Sequence, residues 1–258
     1  MLAYELTDGC RLAFLRRALD DPELEGVPDT EARCGRCDRC GGLKLSSETD
    51  ETALAAARAR LERPGVPVEP RRMWPTAMTQ LGVDVRGRIP PAEQADTGRA
   101  VARLTDLGWG QHLRELFGPD AGDQEVPVPL RHALADVLAA WQHDEEFDGV
   151  VTIASMSRPV LAGHLAHGVA RITGLPLLTR LALTETAAPS GRGAVNSAQR
   201  LAAVWGRFRI EDPAAVDARR VLLVDDRVVT GWTLAVCARA LRASGATAVY
   251  PLVLATEN

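Results

Sequence analysis

Hydrophobic positions change their period along the chain. Leu12, Leu15 and Leu19 recur at helical spacing and predict a helix from Arg11 to Leu19. The stretch ETALAAARARLER, residues 51–63, predicts a second helix, with Ser47 or Thr49 as its N-cap. VPVEPRRMWP then reads as an extended, Pro- and Arg-rich segment. AEQADTGRAVARLTDLGWGQHLRELF, residues 92–117, predicts a further helical pair. GPDAGDQEVPVP, rich in Gly, Pro and Asp, reads as a linker. From about residue 130, helices and short apolar runs alternate. LRHALADVLAAWQ, RPVLAGHLAHGVARITG, AQRLAAVWG and WTLAVCARALRASG predict helices, and VVTIA, PLLTRLAL, VLLV and AVYPLVLA predict buried strands. This alternation implies an α/β domain with a parallel sheet covered on both faces. Ligands of such sheets sit at the carboxyl ends of the strands.

Composition adds limits. The net charge of −4 argues against a strongly basic nucleic-acid module overall. No apolar run reaches the ~20 residues of a membrane span, and the start, MLAYELTDGC, lacks a signal peptide's apolar core. A cytoplasmic protein is expected. In that compartment cysteines serve metals more often than disulfides. Cys10, Cys34, Cys37 and Cys40 follow a C-x23-C-x2-C-x2-C pattern, in which four thiolates can close a tetrahedral zinc site of the structural kind. An iron–sulfur cluster is the alternative that this spacing leaves open. Cys237 falls on the apolar face of a helix and is expected in the core.

The segment MLAYELTDGCRLAFLRRALDD, followed by CGRCDRC, resembles the zinc-binding subdomain of RecQ-family DNA helicases. The likeness covers about the first 45 residues. It departs from the family in a longer loop between Cys10 and Cys34 and in a shortened leading helix. It implies a structural zinc that braces a DNA platform, a winged-helix-like DNA-binding region next in the chain, and helicase motor domains in a longer protein, associated with the nucleoid. No G-x4-GK-[ST] phosphate loop or DEAH-like box occurs in this sequence. Between residues 58 and 88, seven arginines face three acids, a local net of +4. Arg71, Arg72 and Trp74 are the candidates there for phosphate contact and base stacking.

The run VLLVDDRVVTGWT, residues 221–233, carries the second resemblance. Asp225 and Asp226 end an apolar strand, where two carboxylates repel each other and resist burial. A cation or a hydroxyl-rich ligand would relieve them. Val229, Thr230, Gly231, Trp232 and Thr233 then open a helix whose amides and hydroxyls suit a phosphate. The run is similar to the phosphoribosyl pyrophosphate (PRPP) motif of type I phosphoribosyltransferases, and the region 130–258 looks most like ComF-type domains. Arg227 departs from the pattern, which carries an apolar residue there. The resemblance implies that Asp225 and Asp226 serve the ribose hydroxyls and a magnesium ion. It also implies that Ser155, Met156, Ser157 and Arg158 form a pyrophosphate turn. A hood would carry Arg192, Asn196, Gln199 and Arg200 as candidates, and an Asn and a Phe before the Asp-Asp strand match Asn196 and Phe208. Glu185 is the one candidate for a general base.

The whole reads as an α/β multidomain chain. Residues 1–46 form a small α-helical zinc subdomain and 47–118 a reduced winged-helix-like region. Residues 119–129 form a linker and 130–258 a phosphoribosyltransferase-like sheet. The expected function is the non-motor C-terminal part of a RecQ-like helicase that binds DNA and a phosphoribosyl ligand. The alternatives are an active phosphoribosyltransferase and a domain that keeps only a sensing or interaction role.

Overall fold

The computed structural model describes residues 2–42, 49–141, 146–185 and 196–257. The expected N-cap Ser47 and the hood residue Arg192 lie outside these. The chain divides into two compact units, Met1–Ala56 and Ala57–Asn258.

The first unit holds α1 (Leu2–Leu6) and α2 (Arg11–Ala18), and α3 (Glu51–Leu61) begins within it. Cys10 caps α2, its sulfur accepting from the Ala13 amide. The helix forms where the leucine spacing predicts, but its leucine stripe is not its buried face. Leu19 is 80% exposed, and Ala13 is the helix's buried residue. Short chain length explains the inversion, because the interior here is Cys10, Ala13 and Ala32 gathered around the cysteines. The N-cap position of α3 is filled by Asp50 and not Thr49: the Asp50 carboxylate accepts from the Thr52 amide at 3.0 Å.

In the second unit the elements run β1 (Val66–Val68), β2 (Gly98–Arg103), α4 (Gly110–Phe117), α5 (Val128–Ala140), β3 (Gly149–Ile153), α6 (Pro159–Thr173), β4 (Leu177–Leu183), α7 (Ser197–Val204), β5 (Phe208–Ile210), β6 (Arg220–Val228), α8 (Trp232–Ala243) and β7 (Ala248–Thr256). Among the described residues the strands form one seven-stranded sheet, ordered β1-β2-β7-β6-β3-β4-β5. Five strands are mutually parallel, and β1 and β5 close the edges antiparallel. Along β6, Leu222 and Val224 face the cluster built with α4, α5 and α6, and Val221 and Leu223 face the cluster built with α8. Period 2 thus feeds two cores, which is why the central strands read as unbroken apolar runs.

Two differences from the sequence reading concern residues 47–129. GRAVAR, expected in a helix, is β2, and it pairs with β7 from Arg99↔Leu252 to Arg103↔Thr256. Ala100, Val101 and Ala102 are buried on both faces, a pattern that helix and central strand share over so short a run. Gly98 is required at its start, since a Cβ there would lie 2.3 Å from the Pro251 carbonyl oxygen. From residue 57 on, the winged-helix-like stretch belongs to the second unit and supplies two strands of its sheet. The expected linker is also docked: Val126 is buried, and the Asp123 carboxylate accepts from the Val160 and Leu161 amides at the start of α6. No helix among the described residues is long and apolar enough to cross a membrane.

Candidate functional site

β3 lies between β4, its successor through α6, and β6, so the strand order reverses across it. A crevice opens at the carboxyl ends of β3 and β6, the place where open parallel sheets bind ligands. It has a volume of about 910 Å³. Ser155, Met156, Ser157 and Arg158 line it from the turn after β3, and Asp225, Asp226, Arg227, Val229 and Thr233 line it from β6 and the start of α8. The sequence-derived pyrophosphate turn and acidic pair therefore meet in one cavity.

β6 continues through both aspartates to Val228, farther than its apolar run suggested. Alternation sends their side chains to opposite faces of the strand end. The Asp226 amide donates to Asp225 Oδ1 at 2.9 Å. Burial first, and the Asp226 charge second, push the Asp225 pKa up to about 8, against the donated amide and the Arg227 charge. Burial also raises Asp226, opposed by the Arg227 amide and by the charges of Arg227 and Arg158. A pair held this way favours protons, a cation or hydroxyl donors. Cys237, fully buried on α8 as expected, has its thiol pKa raised by burial and then by the Asp225 charge.

The turn after β6 is built for close backbone approach. Gly231 sits at φ +77°, in the left-handed region, and directly precedes α8. The first amides of α8 lack intrahelical partners, and Thr233 of that first turn lines the crevice. Trp232 itself does not line the crevice. Its side chain is 2% exposed, its indole donates to Ser197 Oγ at 2.9 Å, and its ring stacks on Trp74 at 6.1 Å.

That stacking overturns one expectation. Trp74 is buried in a cluster with Met78, Ile89, Leu201 and Trp232, so its ring has no face for a nucleic-acid base. Arg71 is also engaged: its Nε donates to the Thr230 carbonyl at 2.7 Å, and its guanidinium lies 4.9 Å from the Trp232 ring centroid. It braces the turn between β6 and α8. Arg72 is exposed.

Other candidates take up local roles. Ser155 Oγ accepts from the Arg158 amide at 3.0 Å, which shapes the turn before α6. Asn196 caps α7, accepting from the Gln199 amide at 2.9 Å. Glu185 is exposed and does not line the crevice. His164 Nδ1 accepts from the Val126 amide, and His167 meets the Gly163 carbonyl of its own helix. Sequence reasoning missed Arg207, which is 8% exposed and lines the crevice beside Phe208. Burial lowers its pKa. Its placement depends on the pairing of β4 with β5, which no local pattern announces.

The first unit holds a separate candidate centre. The sulfurs of Cys10, Cys34, Cys37 and Cys40 all lie within 4.8 Å of one another and could hold a metal ion. Backbone amides already point at them: Cys34 donates to Cys10 Sγ at 3.3 Å, and Cys37 donates to Cys34 Sγ at 3.3 Å. Burial opposes ionisation of Cys37, but amide and thiol hydrogen bonds outweigh it and lower its pKa to about 6. Cys40 goes the other way: the Gly35 amide opposes the shift, but burial and thiol hydrogen bonds with Cys37 and Cys10 outweigh it and the Cys34 amide, and push the pKa up to about 11.

No protein-family model and no curated protein matches this chain. Among solved structures, a purine phosphoribosyltransferase from Pyrococcus horikoshii Ot3 is similar at 18% identity and a TM-score of 0.31, covering 49% of this chain and 70% of that one. A structure described as the allosteric regulatory enzyme of purine biosynthesis matches at 28% identity and a TM-score of 0.32, over 48% of this chain and 25% of that one. The glutamine PRPP amidotransferase of B. subtilis, complexed with ADP and GMP, matches at 16% identity and a TM-score of 0.32, over 92% of this chain and 59% of its own. At these scores the likenesses carry no functional inference, and function is read from the site.

Proposed function

We propose that the crevice of the second unit binds a phosphorylated ribose, either PRPP or a nucleotide. The observation that carries this reading is the convergence of three groups on one cavity: the Asp225–Asp226 pair, Val229 and Thr233 at the turn into α8, and the turn at residues 155–158. In this reading the 5′-phosphate takes the α8 amides and Thr233. The ribose 2′ and 3′ hydroxyls donate to Asp225 and Asp226. A pyrophosphate group, with magnesium when PRPP is bound, lies beside residues 155–158. Hydroxyl donors and a nearby cation relieve the buried charge that raises both aspartate pKa values. Calorimetric titration of the full chain with PRPP and magnesium tests the reading. Binding is expected, with a loss of at least about tenfold in Asp225→Asn and Asp226→Asn, since each hydrogen bond to a charged group contributes roughly 1.5–3 kcal/mol. Binding unchanged in both variants would reject it.

A second reading is transfer of ribose 5-phosphate from PRPP to an acceptor. Its transition state resembles an oxocarbenium ion, so the enzyme's work would be positioning and charge stabilisation. Pyrophosphate release in the presence of a panel of bases tests this, and the absence of release with every base would leave ligand binding alone.

For the first unit we infer a single structural zinc. A tetrahedral ion with bonds near 2.3 Å holds its sulfurs ~3.8 Å apart, which suits four sulfurs within 4.8 Å of each other. A multi-iron cluster needs a wider opening. Metal analysis of the purified chain decides, since an iron–sulfur cluster is brown and zinc colourless. The helicase reading rests on the resemblance of the first 45 residues alone, and its DNA contact loses Trp74 to the core and Arg71 to the phosphate turn.

A further inference from the structure

Arg227 is the position at which β6 departs from the phosphoribosyl motif, and its surroundings give it a use. Its guanidinium lies 5.3 Å from the centroid of the Phe117 ring. The Arg158 guanidinium, from the turn after β3, lies at the same 5.3 Å from the same ring. Two guanidiniums on one phenyl ring concentrate positive charge at this wall of the crevice. The ring's negative faces offset part of it. Arg158 also donates to the Leu116 carbonyl at 2.9 Å, and Arg227 approaches Glu257 at 3.7 Å. Each of these contacts engages one terminal nitrogen of its guanidinium, which carries five N–H donors in all. Arg158 and Arg227 both line the crevice that holds the aspartate pair. Phe117 ends α4, whose Leu113 and Leu116 are buried in the core, so the ring stands on a rigid support.

We propose that Arg158 and Arg227, each resting on the Phe117 ring and both lining the crevice, form an oxyanion clamp for the pyrophosphate part of the ligand, with Phe117 as a positioning residue. The proposal rests on the phosphoribosyl reading above and adds a preference for diphosphate over monophosphate ligands. A pyrophosphate group can accept from both guanidinium forks at once, whereas a ribose 5-phosphate seated on α8 leaves the clamp empty. Phe117 lies outside the region 130–258 that the sequence assigned to this domain, and so the clamp makes the α4 segment part of the site.

Calorimetry on the full chain tests the clamp, with inorganic pyrophosphate, PRPP and ribose 5-phosphate each titrated in magnesium buffer. Arg227→Leu, which restores the apolar residue of the motif, is expected to weaken pyrophosphate and PRPP about tenfold or more and ribose 5-phosphate less than about twofold. Arg227→Lys should recover part of the loss, as charge without the planar fork. Phe117→Leu, with both arginines intact, is expected to weaken pyrophosphate about threefold while near-UV circular dichroism stays native. Equal losses for all three ligands in Arg227→Leu, or no loss for pyrophosphate, overturns the clamp. If ribose 5-phosphate binds and depends on Asp225 while pyrophosphate does not bind, the clamp fails and the phosphoribosyl reading stands. If pyrophosphate binding depends on Arg227 while both aspartate variants bind ribose 5-phosphate normally, that reading fails and the clamp stands.

Discussion

The two units are held together by different physics. Met1–Ala56 buries Cys10, Ala13 and Ala32, with Leu24, Val27 and three further cysteines half-covered around them. Ala57–Asn258 buries leucines and valines on both faces of a seven-stranded sheet, with a further cluster around Trp74 and Trp232. Among its described residues the small unit buries little apolar surface, and under the proposed zinc site coordination would supply what burial does not. The large unit has burial to spare, and it places two carboxylates where burial works against them. With the proposed metal bound, one unit would gain stability at its candidate metal centre; the other gives stability up at its candidate binding site.

Removing metal probes the contrast most strongly. A chelator is expected to unfold the first unit, because a structural zinc contributes about 10–16 kcal/mol to folding, while the second keeps its melting transition. Limited proteolysis with mass spectrometry reads this as new cleavage confined to residues before 57; protection of those residues after full metal removal would break the comparison. The converse comes from Leu222→Ala, at a fully buried position of β6. It should cost about 2–5 kcal/mol in denaturant unfolding of the second unit and leave metal content unchanged.

The aspartates give a smaller, pH-dependent effect. Asp225 has a folded pKa of about 8, above its usual value of 3.8. Its neutral form is the one the fold favours, so its contribution is fully present below pH ~4 and is lost as pH rises toward 8. Asp225→Asn should therefore stabilise the ligand-free protein at pH 8 by roughly 1–3 kcal/mol, since water in the crevice screens both carboxylates, and by nothing near pH 4. Melting temperatures across pH check this, and a gain that did not depend on pH would deny that the buried charge is the cause. Asp148 runs the other way. It accepts from the Arg220 amide at 2.8 Å and pairs with the Arg220 side chain, and these contacts lower its pKa. Its contribution is present above about pH 4 and lost as pH falls below that. Asp148→Asn should cost less than about 1 kcal/mol at pH 7, because solvent screens the pair, and the cost should fade in acid.

Most elements after residue 130 were legible from periodicity. Each predicted strand has an apolar run, and most of the helices have a stop signal, such as Gly174, which lies at φ 72° just past α6. The short edge strand β5 carries no such run and was missed. Residues 47–129 read poorly for a related reason. Ala100, Val101 and Ala102 suit a helix until β7 offers its backbone, and Asp123 resembles linker composition until the amides of α6 come within reach.

The sequence by itself determined the four-cysteine pattern, the alternation that makes a parallel sheet, and the aspartate pair with its glycine turn, because spacing along the chain specifies each. Tertiary structure alone decided what those residues face. It turned Trp74 inward onto Trp232, brought Arg71 to the Thr230 carbonyl, sank Arg207 into the crevice wall, and set Arg158 and Arg227 on the ring of Phe117. Those partners lie tens to more than a hundred residues apart, and sheet pairing, not local propensity, sets the distance between them.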